Sequence, residues 1–169
     1  LKVIETERVY LRELVLEDTE NLSKVLSDKE SMQYYPKPFT IKEVEKWIEW
    51  NIDNYAKHSH GLWAVILKDG NKFIGDCGIT MQLIDKDYVP EIGFHIIKKY
   101  WNKGYATEAA AACRRYAFDT LKYPKVFSYT TIKNIPSQKV AQKIRMHTYK
   151  TFEKNGEKQI VQVAVNNLV

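Results

Sequence analysis

Hydrophobic positions recur along the chain in two rhythms, one of two residues and one of three to four, and these divide it into strands and helices. Residues 9–14 alternate imperfectly and predict a strand; residues 18 to about 26 predict a short helix with Leu22, Val25 and Leu26 inward. Pro36 and Pro38 forbid regular structure between residues 32 and 39. Thr40-Ile41-Lys42-Glu43 has the spacing of a capping box, in which hydroxyl and carboxylate satisfy free amides, and opens a helix to about Lys57. Ile41, Val44, Ile48, Ile52 and Tyr55 fall at helical spacing within it. Residues 62–67 predict a strand, Asp69-Gly70 a tight turn, and residues 72–83 an antiparallel return, with Gly75 and Gly78 marking a twist or bulge. Residues 90–97 predict a third long strand. A loop over 98–104 leads to a helix over 105–121, a strand over 125–132 and a short helix over 136–146. Two last strands, 149–153 and 158–165, join near Asn155-Gly156. A meander followed by strand–helix–strand crossovers implies an α/β fold, a mixed sheet with helices on its faces.

The chain has 169 residues, 44% hydrophobic and 28% charged, which suits one globular domain over 1–169 and excludes a disordered or coiled-coil chain. No run approaches the ~20 apolar residues of a membrane helix. Lys2 and Glu5 bring charge too early for a secretory signal. Cys77 and Cys113 stand alone, with no Cys-x-x-Cys pair, so neither a zinc nor a disulfide framework is expected. They read as small buried hydrophobes in a protein of the reducing cytoplasm.

Charge is divided unevenly. Residues 1–90 carry 12 Lys and Arg against 16 Asp and Glu, whereas residues 91–150 carry 12 against 3. A block with net charge +9 predicts a polyanionic ligand, either nucleic acid or a phosphate-rich cofactor, unless it is simply a solvated basic face. Within it, Ile96-Ile97-Lys98-Lys99-Tyr100-Trp101-Asn102-Lys103-Gly104-Tyr105-Ala106 runs from strand through loop into a helix rich in small residues. Helix N-termini present unpaired N–H groups and a positive dipole end. Gly104 permits close backbone approach and Ala106 keeps the helix start clear, so the run can cradle a phosphate. It lacks the Gly-Lys-Ser/Thr of a P-loop and the three glycines of a dinucleotide turn, and it equally fits an ordinary strand-to-helix connection with surface lysines.

Four stretches resemble the GNAT superfamily of acetyl-CoA-dependent N-acetyltransferases, and within it the ribosomal-protein N-terminal (RimJ/RimL-like) subgroup. They are Glu5-Thr6-Glu7-Arg8-Val9-Tyr10-Leu11-Arg12, similar to the subgroup's opening strand; Glu91-Ile92-Gly93-Phe94, similar to its central strand; Tyr100 through Ala109; and Asn134-x-x-Ser137 with Val140 and Lys143. They occur in the subgroup's order across essentially the whole chain. The resemblance implies a GNAT-type mixed, mostly antiparallel sheet whose central strand pair splays apart. Acetyl-CoA would lie between the strand over 91–97 and that over 125–132. Its pantetheine would pair with backbone near Phe94, His95, Ile96 and Ile97. Its pyrophosphate would sit on the N–H groups of Trp101, Asn102, Lys103, Gly104, Tyr105 and Ala106. Trp101 stands where the family often has Arg or Gln. No metal is implied.

The implied reaction is direct attack of an amine on the thioester, which needs a base. Glu91 matches the subgroup's acidic position, though a strand-end carboxylate paired with a lysine would look the same. A backbone N–H near Phe94–Ile96 would hold the developing oxyanion. The tyrosine that many relatives aim at the leaving sulfur falls at Ala141, so Ser137, which matches the subgroup's serine, replaces it as a hydrogen-bond donor. Asn134 would bond the pantetheine amide, and the position also suits a helix N-cap. Arg145-Met146 stands where the family has Gly followed by Phe or Met; a left-handed Arg there costs roughly 1 kcal/mol.

The remaining candidates are weaker. His58 and His60 read as a solvated helix end, and Tyr149 as packing. His95 lies on one face of the central strand, facing either the acceptor or the core. Trp47, Trp50 and Tyr55 fit a core stripe, although Tyr34, Tyr35, Trp47 and Trp50 could wall an acceptor cleft. The acceptor is an amine, either a small molecule or a protein N-terminus; no membrane partner is implied, and a homodimer stays open. Two other readings stand beside transfer. One is a CoA-binding module without turnover; the other is ribosome or nucleic-acid binding through residues 91–150, for which a glycine-rich aromatic RNA signature and a long basic helix are both missing.

Overall fold

The computed structural model describes residues 2–167. A short antiparallel pair, β1 (Lys2–Glu5) and β2 (Val9–Glu13), leads through two helices, α1 (Thr19–Leu26) and α2 (Ile41–His58), to a three-stranded meander, β3 (Leu62–Leu67), β4 (Lys72–Ile84) and β5 (Asp87–Ile96). Next come α3 (Tyr105–Asp119), β6 (Lys125–Thr131), α4 (Ile135–Lys143) and a hairpin of β7 (His147–Lys154) and β8 (Glu157–Val165). Among the described residues the strands form one sheet in the order β1-β2-β3-β4-β5-β6-β8-β7, antiparallel except where β5 meets β6. This is the mixed, mostly antiparallel α/β sheet with helices on both faces that the sequence implies.

Every position of β3 is buried because the sheet has a core on each side. Trp63 and Val65 face the α3 side, with Val9, Leu11, Ile79 and Ile92, against Ala109, Ala110 and Cys113. Ala64 and Ile66 face the other side, against Leu22, Leu26, Val44 and Ile48 of α1 and α2. Ile48 and Leu22 are fully buried there, each stabilising by about 2 kcal/mol. The alanines of α3 let that helix lie close on the sheet.

Four expectations change. The sequence shows no strand before Val9; β1 forms as a half-exposed edge, which removes the alternation, and the turn to β2 closes where the Thr6 N–H donates to the Val9 carbonyl and the Thr6 hydroxyl accepts the Val9 N–H. In α2 the capping box is present, with Thr40 Oγ1 accepting the Glu43 N–H at 3.2 Å, but Ile41 and Ile52 are exposed. The buried stripe includes Asn51 instead, whose side chain accepts the Leu62 N–H at 2.7 Å and donates to the Trp47 carbonyl at 2.9 Å. His60 is not solvated: it is 1% exposed, with Nδ1 at 2.7 Å from the Ile79 carbonyl and Nε2 at 2.7 Å from the Tyr123 hydroxyl. The carbonyl can only accept, so Nδ1 carries the proton and Tyr123 donates to Nε2. Burial holds His60 below the usual histidine range. Finally, Cys77 and Cys113 are buried as expected but adjacent, their free thiols 3.7 Å apart.

Candidate functional site

β5 pairs with β4 along its whole length, whereas parallel β5 and β6 share a single rung, Glu91 opposite Phe127. Beyond it the strands part. Glu91 stands at the vertex, and its Oε2 accepts the Tyr129 N–H of β6 at 3.2 Å, where a β5 carbonyl would otherwise serve. Burial pushes the Glu91 carboxyl up to about 8, although the Tyr129 amide, His95 and Lys154 pull the other way.

Side chains alternate across a strand, so Gly93 and His95 share the Glu91 face. The β4 register sets Thr80, Gly78 and Asp76 opposite these three. Asp76 is fully buried and accepts from His95 Nδ1 at 2.7 Å and from the Trp47 indole at 3.1 Å. His95 Nε2 lies 2.6 Å from the Tyr35 hydroxyl. Burial opposes a charge on His95, but the adjacent Asp76 outweighs it and leaves the imidazole above its usual range. Around it Tyr35, Trp47 and Trp50 form a wall, with Trp47 edge-on to His95 at 5.6 Å and tilted on Trp50 at 5.8 Å. Gly93 leaves a gap in this face between Glu91 and His95.

The open edge of β5 can be read from its ends. The Ile97 N–H donates to the Ile74 carbonyl of the β4 side at 2.8 Å, so Ile97 does not offer the free amide expected of it. Backbone groups of alternate residues share an edge, which turns His95 with Ile97 toward β4 and leaves Phe94 and Ile96 facing the splay. The Trp101 indole donates to the Ile96 carbonyl at 2.6 Å, and the Trp101 amide is spent on Lys98 at 3.1 Å. Trp101 therefore braces the loop, and the cradle proper begins at Asn102.

Asn102 and Gly104 both take left-handed backbone, φ 61° and 83°, which Asn and Gly tolerate best. No side chain caps α3; its first bond runs from the Glu108 N–H to the Gly104 carbonyl. The N–H groups of Tyr105, Ala106 and Thr107 precede that bond and have no partner within the helix. The exposed Lys103 stands in this loop, whereas Lys98 leans away to pair with Glu30 at 3.3 Å and Lys133 pairs with Glu157 at 4.0 Å.

Across the splay, Asn134 Oδ1 caps α4 through the Ser137 N–H at 3.2 Å, and its Nδ2 donates to Thr130 at 3.2 Å. Ser137 lines a shallow concavity with Ser128, Tyr129, Thr130, Ala141 and Gln162. Gln162 is buried, and its Oε1 has no hydrogen-bond partner among the described residues. Tyr149 packs on Phe127 at 5.9 Å, on the exposed edge strand β7. Arg145 is left-handed at φ 67°, with its N–H on the Gln142 carbonyl and that of Met146 on Ala141. This is a Schellman ending with Arg in the glycine position.

Glu91, Gly93, His95 and the wall aromatics thus meet on one side of the splay, with Asn134 and Ser137 on the other. The roles of Asp76 and Arg8 escaped sequence reading. The signal for Asp76 was a lone carboxylate within an apolar strand; for Arg8 it was Glu108, which only the folded chain brings to it. No group of three or more His, Cys, Asp or Glu among the described residues is placed to hold a metal ion, and no helix among them is long and apolar enough to cross a membrane.

Residues 8–147 match the Acetyltransferase (GNAT) domain family. The chain is similar to the uncharacterized protein YkkB of Bacillus subtilis (strain 168), 35% identical with 88% of this chain and 87% of that one covered. The uncharacterized N-acetyltransferase YnaD of the same organism is 31% identical, with 89% and 86% covered. Among solved structures, an acetyltransferase of the GNAT family from Bacillus anthracis superposes with a TM-score of 0.82 at 27% identity, over 96% of this chain and 98% of that one. The splayed sheet with its glutamate vertex and uncapped helix therefore belongs to a known lineage: the chain is a member of the GNAT acetyltransferase family.

Proposed function

We propose that the protein transfers an acetyl group from acetyl-CoA to a primary amine, in the manner of the RimJ/RimL-like N-terminal acetyltransferases that it resembles. The observation that carries this reading is the splay, with a half-buried carboxylate at its vertex and an uncapped helix start at its open end. Acetyl-CoA fits the residues present. The free amides from Asn102 to Ala106 suit its pyrophosphate, and the β5 edge at Phe94 and Ile96 suits its pantetheine. Asn134 Oδ1 keeps a second lone pair for a pantetheine amide.

Glu91 takes a proton from the attacking nitrogen, and its raised pKa keeps the resulting acid stable in the site. An amide on the free β5 edge, at Phe94 or Ile96, meets the thioester oxygen as charge builds there. The Ser137 hydroxyl hydrogen-bonds the departing sulfur, since Ala141 stands in the usual tyrosine position. The acceptor is a protein N-terminus or a small-molecule amine, entering beside Tyr35, Trp47 and Trp50.

The test is thiol release from acetyl-CoA against pooled primary amines and N-terminal peptides, together with the melting temperature with and without acetyl-CoA. Release with at least one pool and a raised melting temperature support transfer. A raised melting temperature without release leaves a CoA-binding module. Neither response removes the reading.

A further inference from the structure

The transfer reading leaves one hydrogen-bonded chain of side chains without a task. It starts at the Trp47 indole, passes through the buried Asp76 carboxylate and the His95 imidazole, and ends at the Tyr35 hydroxyl, with links of 3.1, 2.7 and 2.6 Å. A buried carboxylate on a central strand costs stability unless it is paired, and here both of its oxygens are engaged. Its partner His95 is nearly enclosed, whereas Tyr35 is 40% exposed in the segment between α1 and α2. The chain thus runs from the interior to the surface and emerges beside the gap at Gly93.

The carboxylate can only accept, so His95 Nδ1 carries a proton and Nε2 is the titrating atom. Neutral, Nε2 accepts from the Tyr35 hydroxyl; protonated, it donates to the phenol oxygen. Both states fit the same heavy-atom positions, so a proton can be taken up without rearrangement.

We propose that Tyr35, His95 and Asp76 form a relay that takes the first proton from the incoming acceptor, with Tyr35 as the group that meets it. This rests on the transfer reading, because the proton it moves is the acceptor's. An amine in water near neutral pH is largely an ammonium ion, which has no lone pair for attack. Tyr35 takes one ammonium proton as it passes its own to His95 Nε2, and the imidazolium is held against Asp76 until it loses that proton to solvent. The neutral amine then attacks the thioester carbon. The second proton leaves the nitrogen for Glu91 and goes on to the sulfur as the carbon–sulfur bond breaks. One ammonium and one thioester give one amide, one thiol and one solvent proton. Glu91 has room for one proton only, and it is its ionised form, whose share grows as the pH nears about 8, that accepts the second. Tyr35 is the catalytic residue of the relay; His95 and Asp76 act through it.

The groups facing His95 are Asp76 of β4, Glu91 of β5, Tyr35 of the α1–α2 segment and the non-titrating Trp47 of α2. The experiment combines two measurements on the full chain: NMR titration of the His95 imidazole, and thiol release with the best amine from the pools. His95 should titrate above its usual range in the wild type and fall by at least one pH unit in Asp76→Asn. Tyr35→Phe, on the surface and harmless to folding, should lower kcat by about 100-fold at pH 7 without changing the KM for acetyl-CoA. That deficit should shrink as the pH approaches the acceptor's own pKa, since a free amine needs no first deprotonation. A purely structural Tyr35 would give a deficit independent of pH. A wild type active with some amine, together with an unshifted His95 or a pH-independent deficit, overturns the relay alone. A wild type silent toward every amine overturns the transfer reading and the relay with it.

Discussion

Arg8 holds Glu108 by both backbone and side chain: its N–H donates to Oε2 at 2.8 Å and its Nε to Oε1 at 2.7 Å. The Thr6 hydroxyl adds a third bond to the same carboxylate at 2.6 Å, and Arg8 Nη1 reaches the Lys103 carbonyl at 2.9 Å. The turn between β1 and β2 is thereby fastened to the first turn of α3 and to the loop before it. Two of the four stretches that carry the family resemblance are thus the two halves of one contact.

Arg8→Ala should leave kcat at saturating acetyl-CoA unchanged and raise the KM for acetyl-CoA roughly fivefold, because the loop at Lys103 loses its tether. Arg8 is partly exposed, so the stability cost should be about 1 kcal/mol, a fall of about 2–4 °C in melting temperature. Burial alone would raise Glu108, but the bonds from Thr6 and Arg8 outweigh it and hold the carboxyl below its usual range. Its contribution is therefore complete above about pH 4.5 and disappears as the pH falls through the lowered value. Thermal melts of both proteins from pH 3 to 7 would show the gap closing on the acid side; a constant gap contradicts the assignment.

Glu91 should impose a rising limb on kcat/KM, with its midpoint near pH 8. Glu91→Gln should lose that limb and about 100-fold in rate. The same group works against stability in alkali. A carboxyl whose pKa is higher in the folded chain supports folding fully below about pH 4.5, and that support is lost as the pH rises through about 8. The glutamine variant should therefore melt less differently between pH 6 and pH 9 than the wild type does. Identical pH slopes in the two proteins would count against a titrating Glu91 with a raised pKa.

Two glycines should behave in opposite ways. Gly75 has φ 153°, and a Cβ there would overlap the His95 carbonyl, so Gly75→Ala should cost more than about 3 kcal/mol or abolish folding. A Cβ on Gly93 would meet only Leu62 at 3.6 Å and Glu91 at 3.9 Å. Gly93→Val should fold and still be stabilised by acetyl-CoA, while the KM for the amine rises at least tenfold as the gap fills. Chemical denaturation and steady-state kinetics separate the two cases.

Arg145→Gly should stabilise the protein by about 1 kcal/mol, since Gly relieves the left-handed backbone at the end of α4. Activity should not change. A denaturant midpoint that fails to rise would mean that the side chain compensates for its own strain.

Periodicity located the strands and helices because most of them have one dry face. It failed where a polar residue performs a buried task. Asn51 holds a position in α2 that the spacing gives to Ile52, because Asn51 satisfies the Leu62 N–H. His60 looked like a solvated end because its two partners, Ile79 and Tyr123, lie 19 and 63 residues away. The vertex glutamate and the loop before α3 were legible as local motifs. The chain from Asp76 to Tyr35 was not, since its members meet only through the β4–β5 register and the return of the α1–α2 segment.

The single rung between Glu91 and Phe127 also makes the sheet two slabs, five strands against three, joined along an unfinished seam. An extended ligand backbone laid in that seam would act as mortar, supplying the rungs the chain itself omits. Occupancy and rigidity would then be one property, and the slab formed by β6, β8 and β7 would exchange its amide hydrogens more slowly when the donor is bound.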